Sequence, residues 1–415
     1  MAAKRTAEST EVSAEPPVWT DDLQIEFLPD GKRPGTASYA RYQAYSRGKT
    51  VAEALKLGCK RSDLNWDFTK KLLKVVGKQA ASNEVANKKT RRGPASPCLG
   101  APLVPLSAVK EPAAACSLRD GVRLASGLVL PVVGFGTYKM KKGDAAGHVL
   151  DALRAGYRLI DTAQVYENES DIGAAIRESQ VPREEIRVLT KVWRSSHGYE
   201  RTLAACKQSL KKLGLEYIDL YVIHWPGAKT GWPLPKGTIC PKDWTPAMRN
   251  DGTWRAMEQL YDEGKVKAIG VTNYSVRHLR ELLKSCRIKP MLNQVEYHPR
   301  LVQKELVDFC KQEGIAVQAY ASLGSSDSGQ QVTFFDLPPV QAASKVHGVT
   351  PAQVLLRWAL QKGALVVPKS TRKERMIENS KIFAIRLTAT EMAAIDALHT
   401  GKRYAWKGLD PDSIE

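Results

Sequence analysis

From Ser117 to the end of this 415-residue chain, short apolar runs rich in β-branched residues alternate with longer amphipathic stretches, and eight such runs can be counted. They span 131–137, 157–163, 186–193, 218–225, 267–273, 291–297, 316–322 and 364–370. Between them fall helical patterns, among them 148–155, 203–213, 254–261, 276–283 and 352–360. Several are closed by Gly156, Gly214, Gly264 or Gly363, the residue that ends a helix in the left-handed region at least steric cost. Strand–helix alternation of this kind builds a parallel sheet with helices outside it, an α/β fold, and eight strands is the number of the (β/α)8 TIM barrel. A doubly wound open sheet shows the same alternation, so the chemistry-bearing residues must separate the two.

The preceding stretch has another texture. Residues 31–92 carry 16 Lys and Arg against 4 Asp and Glu, an excess of 12 within a whole-chain net charge of +18. Thr50 is placed to cap a helix through Ala52, Leu55 and Leu57, and a second helix is predicted over 66–76 from Phe68, Leu72 and Val76. The expected organisation is a disordered N-terminus (1–30), a small basic, mostly helical module (31–80), a Lys-, Pro-, Ala- and Ser-rich linker (81–116) and a barrel (117–415). No apolar run approaches the ~20 residues of a bilayer span, and the mixed charges of the first 19 residues match neither a signal nor a transit peptide. Seven scattered cysteines, none in C-x-x-C spacing, suggest neither a disulfide framework nor a zinc site. A reducing, cytoplasmic setting without a membrane or metal is expected.

In a barrel, reactive groups gather at the C-terminal strand ends. The second apolar run ends in Leu159-Ile160-Asp161-Thr162-Ala163 and is followed by Tyr166, the third ends in Thr190-Lys191-Val192-Trp193, and the fourth in Ile223-His224-Trp225-Pro226. Three successive strands thus aim Asp161, Lys191 and His224 at one rim. Burying a carboxylate or an ammonium alone is costly, so Asp161 and Lys191 are expected to pair. A phenol of ordinary pKa ~10 becomes a useful acid if a cation such as Lys191 stabilises its phenolate. His224 would add a second donor where negative charge develops as hydride reaches a carbonyl carbon. Singly, each also reads as structure: a buried cap, its salt-bridge partner, a rim aromatic, a core histidine.

Together with the Asp161 to Glu169 stretch, which fits D-x-A-x-x-Y-x-N-E, these residues resemble the catalytic tetrad of the aldo-keto reductases. The resemblance runs from about Ser117 to the C-terminus. It takes in Gly134-Phe-Gly-Thr-Tyr-Lys139, Tyr221-Val-Ile-His-Trp-Pro226, Gly270-Val-Thr-Asn-Tyr-Ser275 and Asn293-Gln-Val-Glu-Tyr-His-Pro299, with a short tail similar to that of microbial-type members. It implies a barrel enzyme that reduces aldehydes and small ketones with NADPH, with Tyr166 as proton donor, Lys191 and Asp161 as its tuning pair and His224 orienting the substrate.

Gly134-Phe-Gly136 begins like a dinucleotide fingerprint, but the third glycine is absent, Lys139 standing in its place, so a Rossmann reading fails. The resemblance implies instead an extended NADPH/NADP+ site across the barrel mouth. Thr272, Asn273 and Gln294 would hold the carboxamide, Tyr320 stack on the nicotinamide, and Ser322, Leu323 and Gly324 meet the pyrophosphate, with Thr137 also at the site. After the last strand, Lys369, Ser370, Thr371 and Arg375 would grip the 2′-phosphate, with Glu378 and Asn379 near the adenine. Cations and hydroxyls at a helix start suit an anion on physical grounds too. The polar stretch 324–331 is a candidate lid.

Tyr138, Trp193 and Trp225 are expected to wall a mostly apolar substrate pocket, with the 227–251 loop, carrying Trp232 and Trp244, as a further wall. The short tail predicts an open pocket mouth and tolerance for several small carbonyl substrates. A monomer is expected. Alternative readings remain: a nucleic-acid-associated protein, with the 31–92 segment on phosphates and Tyr39, Tyr42 and Tyr45 stacked on bases, although no established nucleic-acid signature is present, or a barrel that binds NADPH only as a sensor.

Overall fold

The computed structural model describes residues 24–27, 46–47, 49–57, 59, 64, 73–75, 111–227, 245–327 and 332–414. The chain divides into two compact units, Met1–Leu99 and Gly100–Glu415. In the first, β1 (Ile25–Phe27) pairs antiparallel with β2 (Leu73–Val75), and a six-residue helix, Val51–Lys56, falls between them in sequence. Thr50 caps that helix as expected, its hydroxyl accepting the Glu53 N–H at 3.2 Å. Ile25, Phe27, Val51, Ala54, Cys59, Leu64 and Leu73 make a small apolar core.

The helix predicted over 66–76 is not formed at its end, where Leu73–Val75 is strand. Its partner lies some fifty residues away, and local periodicity cannot register a pairing of that range. The same pairing gives order to Ile25–Phe27 inside the stretch expected to be disordered, so the described part of this unit is mixed rather than mostly helical. Residues 65–72, Tyr39, Tyr42, Tyr45 and segment 76–110 lie outside the described residues, as do Trp232, Trp244 and 328–331.

The second unit opens with a hairpin, β3 (Gly121–Arg123) on β4 (Val129–Pro131). Eight parallel strands follow: β5 (Phe135–Gly136), β6 (Leu159–Asp161), β7 (Arg187–Val192), β8 (Leu220–Ile223), β9 (Ile269–Thr272), β10 (Leu292–Glu296), β11 (Ala316–Tyr320) and, after a small hairpin of β12 (Gly324–Ser325) and β13 (Val332–Thr333), β14 (Leu365–Val366). They pair in chain order, and a parallel bridge between Val133 and Val366 returns the last strand to the first. Hydrogen bonds from Gly134 N–H to Val366 O (2.8 Å) and from Val366 N–H to Val132 O (2.9 Å) complete the closure. The sheet is a (β/α)8 barrel.

All eight predicted strands are present. The first differs in extent: the run from Pro131 contains the end of the opening hairpin as well as the barrel strand, and a continuous apolar sequence gives no sign that the partner changes between them. Every residue of β8, β9 and β10 is buried, the consequence of placing side chains on one face and helices on the other. Among the described residues no helix is long and apolar enough to cross a membrane.

The helix layer depends on one close approach. A Cβ on Gly173, in the helix Glu169–Glu178, would stand 2.0 Å from the Leu213 carbonyl oxygen at the end of the helix Tyr199–Leu213. Because the obstacle is backbone, the two helices must separate to admit a methyl group. Gly173→Ala is therefore expected to destabilise the barrel by about 1–3 kcal/mol despite its better helix propensity, read as a fall in Tm; an unchanged or raised Tm would contradict this packing.

Candidate active site

Lys191, on β7, is fully buried. Its Nζ donates to Asp161 Oδ1 at the end of β6 (2.7 Å) and to the Thr162 carbonyl (2.9 Å). The other Asp161 oxygen accepts from Gln294 Nε2 at 2.6 Å, and that nitrogen also donates to Gln318 Oε1 at 2.6 Å. Four strands thus meet through one ion pair. The Lys191 ammonium stands 5.2 Å from the centroid of the Tyr166 ring, which makes a T-shaped contact with His224 at 5.7 Å between centroids.

Tyr166 ends a one-turn helix, Gln164–Tyr166, that begins directly after β6. Asn168 fixes this turn: its Oδ1 accepts the Thr162 hydroxyl (2.7 Å) and its Nδ2 donates to the Thr137 carbonyl (3.1 Å). Next to it the buried Glu169 accepts from the Thr190 hydroxyl at 2.8 Å. The His224 carbonyl accepts from Asn273 Nδ2 (2.9 Å) and from the Thr272 hydroxyl, so β9 holds the backbone that carries the imidazole.

Electrostatics sharpen these placements. Burial, reinforced by the charge of Asp161, raises the Tyr166 phenol well above its ordinary pKa, in contrast to the lowering expected from Lys191. The phenol therefore holds its proton at neutral pH, with the Lys191 ammonium near its ring. Burial also depresses Lys191, against the pull of Asp161. His224 lies well below an ordinary histidine, through burial and the nearby Lys191 and Arg194 charges, so its ring is neutral.

A cleft of about 830 Å³ opens over this group and runs across the barrel mouth. It brings together Tyr166, Asp161, His224 and Tyr138 with Asn273, Gln294, Tyr320, Ser322, Leu323, Gly324, Lys369, Ser370, Thr371, Arg375, Glu378 and Asn379. Lys191 stands behind Asp161. Thr137 and Thr272 do not line the cleft; their hydroxyls are spent on the Asp161 and His224 carbonyls. Tyr320 donates to Asn273 Oδ1 at 2.6 Å, and Glu378 accepts from the Thr350 hydroxyl at 2.7 Å. Gly324 has φ +126, and a Cβ there would meet the Val332 carbonyl oxygen at 1.9 Å, so only glycine makes this corner of the cleft.

The cleft suits an extended, anionic, hydrogen-bonding ligand. Ser322 Oγ and Asn379 Oδ1 are buried without partners in its wall. Lys369, Ser370 and Thr371 precede the helix Lys373–Ser380, which carries Arg375 in its first turn. Burial and the neighbouring Lys139 charge push Lys369 below its ordinary pKa, a strain that an anion would relieve.

The tail corrects the expectation of an open mouth. Trp406 lines the cleft, stacks on Tyr138 at 5.4 Å and meets His224 in a T-shaped contact at 5.6 Å between centroids. Trp193 and Trp225, expected as pocket walls, pack with Trp406, Ala405 and Ile414 in an apolar cluster and do not line the cleft. Sequence reasoning also passed over Asp327, which pairs with Lys139 Nζ at 2.6 Å and accepts the Tyr138 hydroxyl at 3.2 Å. An isolated tryptophan near the chain end was the available signal for Trp406; nothing local marked Asp327.

Residues 132–400 match the Aldo/keto reductase family. The chain belongs to that family. This aldo-keto reductase is 44% identical over 299 residues to the glyoxal reductase of Bacillus subtilis (strain 168), covering 72% of this chain and 98% of that protein. It is 45% identical over 294 residues to the 9,11-endoperoxide prostaglandin H2 reductase of Trypanosoma cruzi (strain CL Brener), covering 71% and 95%. Among solved structures it is similar to MGS-M4, an aldo-keto reductase enzyme from a Medee basin deep-sea metagenome library, with a TM-score of 0.61 and 40% identity over 69% of this chain and 98% of that one. The chain is accordingly an oxidoreductase whose family reduces carbonyls with nicotinamide cofactors.

Buried histidines give this aldo-keto reductase a pH signature. His224 is depressed, His197 is pushed down to about 3 and His278 to about 4, all three chiefly by burial. Below the ordinary histidine pKa of ~6.5 the unfolded chain takes up protons that the native state refuses, so unfolding is favoured as pH falls. Each histidine contributes up to about 1.4 kcal/mol of lost stability per pH unit, from ~6.5 down toward its folded value. Denaturant unfolding between pH 7.5 and 5 should show stability flat above 7 and falling below 6.5; a constant stability down to pH 5 would contradict the burial of these rings.

Proposed function

We propose that the protein reduces aldehydes and small ketones to alcohols with NADPH, Tyr166 donating the proton. The observation that carries this reading is the convergence of Tyr166, Asp161 and His224 on one end of the cleft, with Lys191 immediately behind. A phenol kept protonated by burial, with an ammonium near its ring, releases its proton only to an oxygen that is gaining negative charge.

The reduced nicotinamide, when bound, supplies the hydride that makes this oxygen basic. Tyr166 gives its hydroxyl proton to the carbonyl oxygen as the C–O bond becomes single, and Lys191 stabilises the phenolate left behind. Asp161 keeps Lys191 charged and in place. His224, being neutral, orients the carbonyl by hydrogen bonding without adding a second positive charge. Tyr138 and Trp406 keep water from the reacting carbon. The residues that would hold the cofactor are Asn273, Gln294 and Tyr320 at the nicotinamide end, Ser322 to Gly324 along the middle, and Lys369, Ser370, Thr371 and Arg375 at the 2′-phosphate. The glyoxal reductase likeness favours small, polar aldehydes among the substrates.

The test is NADPH oxidation by purified protein with glyoxal and with an aromatic aldehyde. Tyr166→Phe should lower kcat by roughly 10²–10⁴ while NADPH still binds; activity within a few-fold of wild type would sink the assignment. Arg375→Ala should weaken NADPH binding roughly tenfold or more and spare NADH, since one charge-assisted contact to phosphate is removed; equal loss of both cofactors would refute the 2′-phosphate site.

A further inference from the structure

The Asn293-Gln-Val-Glu-Tyr-His-Pro299 stretch ends in two groups that the chemistry above does not use. Glu296, at the end of β10, is buried, and its Oε1 accepts from the Tyr404 N–H at 2.7 Å, the Ala405 N–H at 2.9 Å and His298 Nε2 at 2.9 Å. Its own backbone carbonyl accepts from Gln303 Nε2 at 2.6 Å, which fixes the strand end. The next tail amide, that of Trp406, donates to Asp327 Oδ2 at 2.9 Å. Three successive backbone N–H groups are therefore held by two carboxylates, one at the end of β10 and one just beyond β12.

This grip decides where the indole goes. Trp406 adopts φ 50°, in the left-handed region, and Lys407 follows at 56°. A tryptophan is held there only where the surroundings over-determine it, and charge-assisted bonds to the three amides that lead into the kink are the visible cause. Farther along, Arg277 Nη2 and His278 Nε2 both contact the Ile414 carbonyl, at 2.7 and 2.8 Å. The tail is thus fixed at both ends, with Trp406 held between them against Tyr138, Trp193 and His224.

We propose that Glu296, oriented by His298, is a positioning residue for the carbonyl substrate: by holding the Tyr404 and Ala405 amides it sets Trp406 as the wall of the pocket. Substrate choice is then governed by a carboxylate that touches neither substrate nor cofactor. The inference rests on the carbonyl-reductase reading, and its test includes a readout that does not.

In the full-length protein, Glu296→Ala removes all three hydrogen bonds and Glu296→Gln retains an acceptor oxygen. In Glu296→Ala the KM for an aromatic aldehyde should rise roughly tenfold with kcat less changed, and the ratio of its kcat/KM to that for glyoxal should fall. NADPH affinity should stay within about twofold, and Glu296→Gln should recover most of the selectivity. Trp406→Ala should show the same loss, and the double variant no more than either alone, because both changes remove one wall. Hydrogen exchange at amides 404–406 should speed up in Glu296→Ala without any assay of turnover. Unchanged exchange at those amides would overturn the clamp. Faster exchange with unaltered selectivity in both Glu296→Ala and Trp406→Ala would overturn the specificity role. Should Glu296→Ala fail to fold, Trp406→Ala decides: unaltered selectivity there would overturn the specificity role.

Discussion

A lysine with no solvent exposure cannot remain in a protein core unless something answers its charge, and the Lys191–Asp161 pair is the constraint around which this barrel is arranged. Removing water from an ammonium and a carboxylate costs several kcal/mol per ion, and the pair survives because its remaining valences are filled. Thr162 accepts a second proton of Lys191, while Gln294 occupies the other oxygen of Asp161 and continues to Gln318. The network runs through β7, β6, β10 and β11, two adjacent pairs that no sheet hydrogen bond joins and that meet only because the sheet has curled into a barrel. The barrel brings the partners together, and they place a cation 5.2 Å from the centroid of the Tyr166 ring.

The cleft above has two functional ends joined by Asp327. One of its oxygens pairs with Lys139 and accepts from Tyr138, beyond β5, and the other holds the amide of Trp406 in the tail. Segments following the first and seventh barrel strands and the last residues of the chain share a single carboxylate. The wall beside His224 is therefore mechanically continuous with the loop that carries Ser322 to Gly324. The tail lies against Tyr138 and His224 because amides 404–406 are held ahead of the kink and the Ile414 carbonyl beyond it.

Much of this was legible beforehand. Eight β-branched runs separated by amphipathic stretches announced a parallel α/β fold, the strand-end motifs made it a barrel, and polar residues interrupting apolar strand ends announced Asp161, Lys191 and His224, because a charge at such a place needs a reason. The illegible parts share a cause. Leu73–Val75 pairs with a strand some fifty residues earlier, Pro131 ends one strand where the apolar run continues into another, and Trp406 meets residues more than two hundred positions away. Periodicity reports the face an element buries, not the partner it finds. The direction of the Tyr166 shift was missed for the same reason: sequence supplied the cation, but burial, which dominates, is a property of the folded surroundings.

The order of apolar and polar residues determined, by itself, eight strand–helix units of a parallel α/β fold, and the strand-end motifs put a phenol, an ammonium, a carboxylate and an imidazole at one rim and separated the barrel from an open sheet. Only the tertiary structure decided that the phenol stays protonated, that Trp193 and Trp225 stand behind the pocket instead of lining it, and that Glu296 and Asp327 hold the tail across the mouth. These depend on desolvation and on contacts between segments far apart in sequence, quantities that have no value until the chain has folded.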